Sequence, residues 1–273
     1  MTDKYAVIGN PIAHSKSPQI HRMFAQQTGQ DISYEAIEAP LDGFAATVER
    51  LRKEGYKGCN VTVPFKFEAF EIVKHHLTDR AKGAQAVNTL KFGGGTIVGD
   101  NTDGDGLVRD IQQNHKFFLK DRRVLLMGAG GAAYGVVLPL LGAGAILTVV
   151  NRTPSKAQQL FQTFAKQGEI TATSYEELKL SKQQFNMVIN ATSSGLSDDD
   201  RPDLPGTILA EHGMAYEMIY SRETQFKKFA KENNMKISDG LGMLVEQAAE
   251  SFYIWRGVRP ETAPVIAALR KQK

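Results

Sequence analysis

This chain of 273 residues has little cysteine and a small net charge. The single cysteine, Cys59, excludes an internal disulfide and a paired-thiol metal site, and this usage is typical of a reducing compartment. The 33 basic and 30 acidic side chains leave a formal net charge of +3, without the basic block that nucleic-acid-binding proteins usually carry. The opening MTDKYAVIGN has no basic start followed by a long apolar run, so we expect no secretory signal and a cytoplasmic protein.

Charge is also missing from the whole segment 124–150, which is longer than the roughly 20 apolar residues that cross a bilayer. Glycine and proline interrupt this segment, at Gly128, Gly130, Gly131, Gly135, Pro139, Gly142 and Gly144. Such interruptions favour a strand, a tight turn, a buried helix and a second strand over a membrane span. We therefore expect neither a membrane nor a nucleic acid as a partner.

The rest of the chain alternates short apolar, β-branched runs with amphipathic helical patterns, including one helix expected from Phe65 to about His76. This alternation predicts an α/β fold with a mainly parallel sheet covered by helices. Because the chain is longer than a usual single domain, we expect two α/β domains. The first is predicted to comprise 1–103 plus the helical end 241–273, and the second 104–240. Ligands are expected in a cleft between them, at the carboxyl ends of both sheets.

A glycine-rich turn follows the apolar run at 123–127. In RVLLMGAGGAAYG, the residues Gly128, Gly130 and Ala133 have the G-x-G-x-x-G/A spacing, after a predicted strand and at the start of a predicted helix. Glycine permits the tight turn and the close approach of a pyrophosphate, whose charge is stabilised by a helix N-terminus. The segment predicts a dinucleotide-binding Rossmann domain, with a merely tight strand–helix turn as the alternative.

The end of the next predicted strand distinguishes the two nicotinamide dinucleotides. An NAD site has Asp or Glu there for the ribose 2′-hydroxyl, whereas an NADP site needs positive charge for the 2′-phosphate. The sequence at 150–156 is VNRTPSK, which lacks an acid, and the planar guanidinium of Arg152 suits a phosphate. No acidic residue occurs anywhere between Arg122 and Gly168. The pattern favours NADP, and a solvated loop arginine is the alternative for Arg152.

Two polar clusters lie where predicted strands of the first half end. In GNPIAHSKSP, Ser15 and Ser17 suit a small carboxylate, and Ser17 is also a candidate N-cap with Pro18 at the first helical position. In NVTVPFK, strand alternation places Thr62 on the same face as Asn60. Lys66 then falls in the first turn of a helix, where its charge opposes the helix dipole. That position is a reason to consider a functional role, with an ordinary surface lysine as the alternative.

A third cluster, GDNTDGDGLVRD, superficially matches a calcium loop that begins at Asn101. Its twelfth position is Gln112, where a bidentate glutamate is needed, so a helix N-cap is the stronger alternative for Asp103. The six histidines form no H-x-x-x-H pair and have no cysteine partner, and no G-x-S-x-G nucleophile motif occurs. We expect no metal.

Taken in order, these motifs resemble the shikimate dehydrogenase family over essentially the whole chain. The matching segments are GNPIAHSKSP (9–18), NVTVPFK (60–66), AVNT (86–89), GDNTDG (99–104), GAGGA (128–132), NRTPSK (151–156), NATSSG (190–195) and DGLGMLVEQAA (239–249). The resemblance implies a substrate-binding domain followed by an NADP-binding Rossmann domain. It also implies reversible hydride transfer between NADPH and 3-dehydroshikimate, which forms shikimate and NADP in chorismate and aromatic amino acid biosynthesis.

The resemblance further implies roles at matching positions. Lys66 and Asp103 correspond to the catalytic pair, with Lys66 as the proton donor and acceptor. Residues for the substrate carboxylate are Ser15 and Ser17, and those for the ring hydroxyls are Thr62, Asn88, Asp103, Tyr220 and Gln247. Residues for the cofactor are Gly128, Ala129, Gly130, Gly131 and Ala132 at the phosphate turn, Asn151, Arg152, Thr153, Pro154, Ser155 and Lys156 at the 2′-phosphate, and Met218, Gly240 and Asp79 toward the nicotinamide or the cleft.

Two positions and one stretch depart from the family pattern; Gln85 and the stretch bear on affinity and loop geometry more than on the reaction, and the change at Glu217 is conservative. Gln85 stands where glycine is common before AVNT, Glu217 replaces an aspartate, and the stretch 221–225 differs after Tyr220. Two alternatives for the function stay open: a quinate/shikimate dehydrogenase with relaxed cofactor use, and a non-catalytic dinucleotide-binding regulator. The oligomeric state is also open between a monomer and a homodimer.

Overall fold

The computed structural model describes residues 2–192, 202–220 and 222–272, so Ser221 and the last three residues of NATSSG lie outside the described residues. The chain divides into two compact units. We call Met1–Gly106 with Leu244–Lys273 the N-terminal unit and Leu107–Met243 the central unit.

Strands and helices alternate along both units. The strands are β1 (Asp3–Gly9), β2 (Ile32–Glu38), β3 (Gly58–Val61), β4 (Thr89–Gly93), β5 (Thr96–Asp100), β6 (Arg123–Met127), β7 (Ile146–Val150), β8 (Ile170–Thr173), β9 (Phe185–Asn190), β10 (Leu209–Glu217) and β11 (Lys236–Asp239). The helices are α1 (Ser17–Thr28), α2 (Phe44–Lys53), α3 (Lys66–Ile72), α4 (Asp79–Ala84), α5 (Asp103–Arg109), α6 (Gly131–Gly142), α7 (Pro154–Phe164), α8 (Tyr175–Leu180), α9 (Gln225–Glu232), α10 (Leu241–Arg256) and α11 (Ala263–Arg270). One π-helical turn, Asp110–Asn114, continues α5.

The sheet of the N-terminal unit has the strand order β2-β1-β3-β4-β5. The first three strands of that order are parallel, and β4 is antiparallel to both of its neighbours. Gly94 (φ +59°) and Gly95 (φ +81°) form the two-residue turn between β4 and β5, a left-handed conformation that glycine adopts without steric cost. The two strands and this turn form a β-hairpin.

The central unit contains a six-stranded, fully parallel sheet in the order β11-β10-β9-β6-β7-β8. Counted within the unit, this is the doubly wound order 6-5-4-1-2-3, whose topological switch point lies between β6 and β9. Val124 and Leu126 of β6 pack into one apolar cluster, and Leu125 and Met127 pack into another. Because both faces of the strand are buried, the run carries no polar alternation.

The uncharged segment 124–150 forms most of β6, then α6 and β7, as the interrupted apolar pattern predicts. Its helix, α6, has 12 residues and contains Pro139. Among the described residues, no helix has both the length and the apolar character needed to cross a bilayer.

Two sequence-based expectations are wrong in detail. The helix predicted from Phe65 to about His76 ends at Ile72, and a separate helix α4 begins where the Thr78 hydroxyl accepts the Ala81 N–H at 3.3 Å. The end of the chain is helical as expected, and its two helices are separated after Gly257, whose φ of +69° terminates α10. Ser17 is the first residue of α1 and not its N-cap, which is Lys16.

Candidate active site

The strand register of the N-terminal unit brings polar residues to one edge of the sheet. Asn60 of β3 is paired with Thr89 of β4, which is in turn paired with Asp100 of β5. The chain leaves β3 toward Lys66 and leaves β5 toward Asp103. Residues that are far apart in sequence therefore emerge side by side at this edge.

Lys66 and Asp103 form an ion pair at this edge, with 2.6 Å between Nζ and Oδ2. Their side chains are 26% and 13% exposed, so the pair is partly shielded from water, which strengthens the attraction. The Lys66 carbonyl accepts the Val87 N–H at 2.9 Å, and this bond ties the start of α3 to the AVNT segment. The lysine charge, unfavourable at a helix N-terminus, is thus compensated by a carboxylate from another element.

Asn88 fixes the other oxygen of this carboxylate. Its Nδ2 donates to Asp103 Oδ1 at 2.8 Å, and its Oδ1 accepts the Thr102 N–H at 2.9 Å. The Thr89 hydroxyl also donates to Oδ1 of Asn88, at 2.8 Å. Nδ2 of Asn88 lies 3.4 Å from Gln247 Oε1. The Asn88 oxygen faces two donors, so the amide must present its N–H groups to Asp103.

Further residues in this cluster were not singled out from the sequence. Asn60 Nδ2 donates to Ser251 Oγ at 2.9 Å and to Thr89 Oγ1 at 3.1 Å, and Ser251 also lies 3.2 Å from the Thr102 hydroxyl. Helical spacing in the sequence could have identified Ser251, since it lies four residues after Gln247 on α10 and therefore on the same face. Asn60, Thr89 and Ser251 are buried, so they act as a support behind Asn88.

The serines and the threonine lie at the same edge of the sheet, because β1 and β3 are paired in parallel and precede them. Ser17 is buried and Ser15 half-buried, and the Ser15 hydroxyl accepts the Ser17 N–H at 3.3 Å. Thr62 is half-buried, and its methyl group lies 2.5 Å from the position that a Cβ on Gly9 would take. Asp79 is exposed on α4 and pairs with Lys82 at 3.0 Å.

The glycine-rich turn of the central unit, which is predicted to bind the pyrophosphate, is built from backbone. Gly128 has a φ of +110°, donates its N–H to the Val150 carbonyl at 2.8 Å, and passes so close to β9 that a Cβ would lie 3.0 Å from the Ala191 carbonyl oxygen. Gly130 precedes α6 without a side-chain cap, and a Cβ there would meet nothing within 4 Å. Open space above uncapped N–H groups fits a pyrophosphate.

The segment after β7 is exposed from Arg152 to Lys156. Asn151 Nδ2 donates to the Thr153 carbonyl at 3.0 Å and shapes the turn that leads into α7. That helix begins at Pro154 without a side-chain cap. Two cationic side chains, neighbouring hydroxyls and a helix N-terminus form a donor set that fits a 2′-phosphate.

Met218 and Gly240 are brought together where β10 and β11 end. A Cβ on Gly240 would lie 2.0 Å from the Met218 carbonyl oxygen, so only glycine fits there. Buried Glu217 accepts from the Thr224 hydroxyl at 2.6 Å and from the Ile219 N–H at 3.1 Å. Burial raises the pKa of Glu217 and also that of half-buried Tyr220. Through the hydrogen bonds from Ile219 and Thr224, Glu217 holds the segment that carries Met218 and Tyr220.

Comparisons with known proteins agree over the whole chain. The family described as the shikimate dehydrogenase substrate binding domain matches residues 7–90, shikimate / quinate 5-dehydrogenase matches 110–197, and the shikimate 5′-dehydrogenase C-terminal domain matches 240–270. A relative from Nitrosospira multiformis named shikimate dehydrogenase (NADP(+)) is 57% identical over 273 residues, 99% of this chain and 98% of its own.

Solved structures show the same fold. The Ael1 enzyme from Pseudomonas putida is 48% identical, with a TM-score of 0.92 over 98% of both chains. Shikimate 5-dehydrogenase from Thermus thermophilus, crystallised with NADP(H) and shikimate, is 32% identical, with a TM-score of 0.87 over 99% of both chains. These matches confirm the resemblance and the two-domain α/β fold with a Rossmann domain. The chain belongs to the shikimate dehydrogenase family.

Proposed function

We propose that this protein catalyses the reversible, NADPH-dependent reduction of 3-dehydroshikimate to shikimate. The observation that carries the proposal is the Lys66–Asp103 pair, at 2.6 Å between Nζ and Oδ2. Curated relatives at 57% and 56% identity have this activity and this cofactor in their names. The predicted reaction and cofactor are therefore confirmed at the level of the family.

The pair supplies the proton that the reaction requires. NADPH, when bound, supplies hydride to the ketone carbon of the substrate. Negative charge then develops on the ketone oxygen, and the Lys66 ammonium both stabilises that charge and donates a proton to it. In the reverse direction, neutral Lys66 accepts the proton of the hydroxyl. Asp103 holds Lys66 in place, while Asn88 keeps the carboxylate from rotating.

The substrate is proposed to bind to the N-terminal unit. Ser15 and Ser17, on a loop and a helix N-terminus, offer hydroxyl groups to its carboxylate, in keeping with the affinity of such sites for anions. Thr62, Asn88, Asp103 and Gln247 are proposed to contact the ring hydroxyls. A role for Tyr220 of the central unit stays a prediction.

The cofactor is proposed to bind to the central unit. Its pyrophosphate would lie at the Gly128, Ala129, Gly130, Gly131 and Ala132 turn, and its 2′-phosphate at Asn151, Arg152, Thr153, Pro154, Ser155 and Lys156. The lack of an acid at the end of β7 supports NADP over NAD. Met218, Gly240 and Asp79 as residues near the nicotinamide, a cytoplasmic location, and a monomeric or homodimeric state stay predictions.

A quinate-accepting enzyme is the second candidate, because the family matched at 110–197 includes quinate 5-dehydrogenases by its description. Initial rates with shikimate or quinate, each with NADP or NAD, separate the candidates. We expect kcat/KM to be highest for shikimate with NADP. Equal use of NAD would overturn the cofactor assignment, and a preference for quinate would overturn the substrate. A protein that binds NADP without reducing it at saturating shikimate would be a regulator.

A further inference from the structure

Arg80 on α4 binds three carboxylates with one guanidinium. Its Nε and Nη2 donate to the two oxygens of Asp100 at 3.1 and 2.7 Å, an arrangement that fixes the plane of the group. Its Nη1 contacts Asp105 and lies 2.9 Å from Glu250 Oε1. Burial opposes the charge of Arg80, but the hydrogen bonds to Asp100 and Glu250 outweigh it and raise the pKa of the guanidinium.

The three carboxylates stand around the candidate active site. Asp100 ends β5 and Asp105 lies in the first turn of α5, so the two flank Asp103 along the chain. Glu250 follows Gln247 by three residues on α10, one helical turn away. One side chain thus joins the two segments that carry Asp103 and Gln247.

Hydrogen bonds continue from Asp100 to Asp103. Oδ1 of Asp100 accepts the Asn101 N–H at 2.7 Å, and Oδ1 of Asn101 accepts the Asp103 N–H at 3.1 Å. The Asn101 side chain also donates to the carbonyl of Ala86, the first residue of the AVNT segment, at 3.0 Å. The position of the Asp103 backbone therefore depends on the carboxylate that Arg80 holds.

Charge makes the dependence stronger. Asp100 is 7% exposed and Glu250 is 10% exposed, so both need a positive partner to stay ionised without a large desolvation cost. Glu250 has a second positive partner, Arg259. Without Arg80, Asp100 and Asp105 would repel each other across the turn that presents Asp103.

We propose that Arg80 is a positioning residue, which fixes the turn 100–105 so that Asp103 meets Lys66 in the geometry that proton transfer requires. The proposal rests on the proposed role of the Lys66–Asp103 pair. A catalytic group that is displaced by about 1 Å loses up to 10²-fold in rate, so support of this kind is visible in turnover.

The test compares Arg80→Met with Arg256→Met in the full-length protein. Arg256 is a matched control, since it also joins segments of the N-terminal unit by an ion pair, with Asp3 at the start of β1. Both variants should lower Tm. At a temperature well below either Tm, Arg80→Met should lower kcat with shikimate and NADP by about tenfold, and Arg256→Met should leave it unchanged. Added guanidinium ion should restore part of the turnover of Arg80→Met and should not raise the turnover of the wild-type protein or of Arg256→Met.

Asp105→Asn keeps the test decisive if Arg80→Met does not fold, because it removes only the more exposed contact, at 35% side-chain exposure. We expect kcat to fall by about threefold with little change in Tm. Wild-type kcat in folded Arg80→Met or in Asp105→Asn, or equal losses in Arg80→Met and Arg256→Met, would overturn the proposal. An inactive wild-type protein would instead overturn the proposed function, so the two failures are distinct.

Discussion

The two regions that we propose to bind substrate and cofactor are built in different ways. In the N-terminal unit, Lys66, Asp103 and Asn88 are held by side-chain hydrogen bonds of 2.6 and 2.8 Å, on a support of buried polar groups. In the central unit, the segment 128–132 is a backbone turn that leads into the first residues of α6, and the segment 151–156 carries mostly exposed side chains at the N-terminus of α7.

This difference indicates a division of tasks. Rigid, mutually bonded charges can stabilise charge that develops during a reaction, and such groups act on kcat. Exposed groups that hold a phosphate remote from the reacting atoms contribute equally before and during the reaction, so they act on KM. Mutations in the two regions should therefore have different kinetic signatures.

The largest effect is expected from Lys66→Ala. Loss of the proton donor should lower kcat by about 10²-fold or more, with a modest change in the KM for shikimate. Steady-state rates at saturating NADP measure both constants. Lys74→Ala, which removes an exposed lysine of the same unit, is the control for charge. Unchanged turnover in Lys66→Ala would refute the proposed role and remove the contrast between the regions.

A smaller effect, on binding alone, is expected from Arg152→Ala. The KM for NADP should rise by about tenfold and kcat should stay nearly unchanged, because the 2′-phosphate is bound alike in the ground and transition states. Lys166→Ala, in the same acid-free stretch, changes the net charge equally and should leave the KM unaltered. A fall in kcat with the KM for NADP preserved would contradict the division of tasks.

A third prediction concerns stability and separates the packing of the N-terminal unit from its chemistry. His21 is fully buried and stacks on Tyr34 at 4.1 Å between ring centroids, and burial lowers its pKa to about 3. Below the ordinary value of 6.5, the unfolded chain binds a proton that the folded chain excludes, so the free energy of unfolding falls as the pH falls toward 3.

Between pH 7 and pH 5, His21 should lower the free energy of unfolding by about 2 kcal/mol, and His21→Phe should lack this decrease. The fluorescence of Trp255, the only tryptophan of the chain, reports unfolding of this unit, since its ring lies 5.5 Å from that of His21. His75→Phe, at an exposed position, should keep the wild-type pH dependence. If His21→Phe kept the wild-type pH dependence of the free energy of unfolding, His21 would not be the source of that dependence.

Local patterns predicted more of the central unit than of the N-terminal unit. The glycine turn and the basic segment after β7 involve neighbours along the chain, so spacing alone located them. In the N-terminal unit, Lys66 was conspicuous only as a lysine in an unfavourable position, and the supporting Ser251 and Arg80 carried no motif. The helix α4 was not predicted, although Thr78, which caps its first turn, belongs to a residue type that is favoured at helix N-caps.

One departure from the family pattern has a clear structural counterpart. Gln85, where glycine is common, terminates α4 with a φ of +50°, in the left-handed region. A side chain there costs about 1 kcal/mol relative to glycine, which explains the usual residue without requiring a role in catalysis. The sequence showed the substitution, and only the backbone conformation showed why it matters.

The amino-acid sequence by itself determined the α/β alternation and the glycine-rich turn, and it was enough to predict NADP, because each depends on residues within a turn or a strand of one another. Tertiary structure alone decided which polar groups surround Asp103. Asn88 and Gln247 are 159 residues apart and meet only because strand register and the packing of α10 bring them to one edge of the sheet. Hydrogen bonds of 2.6 to 3.4 Å require that arrangement, and no spacing along the chain encodes it.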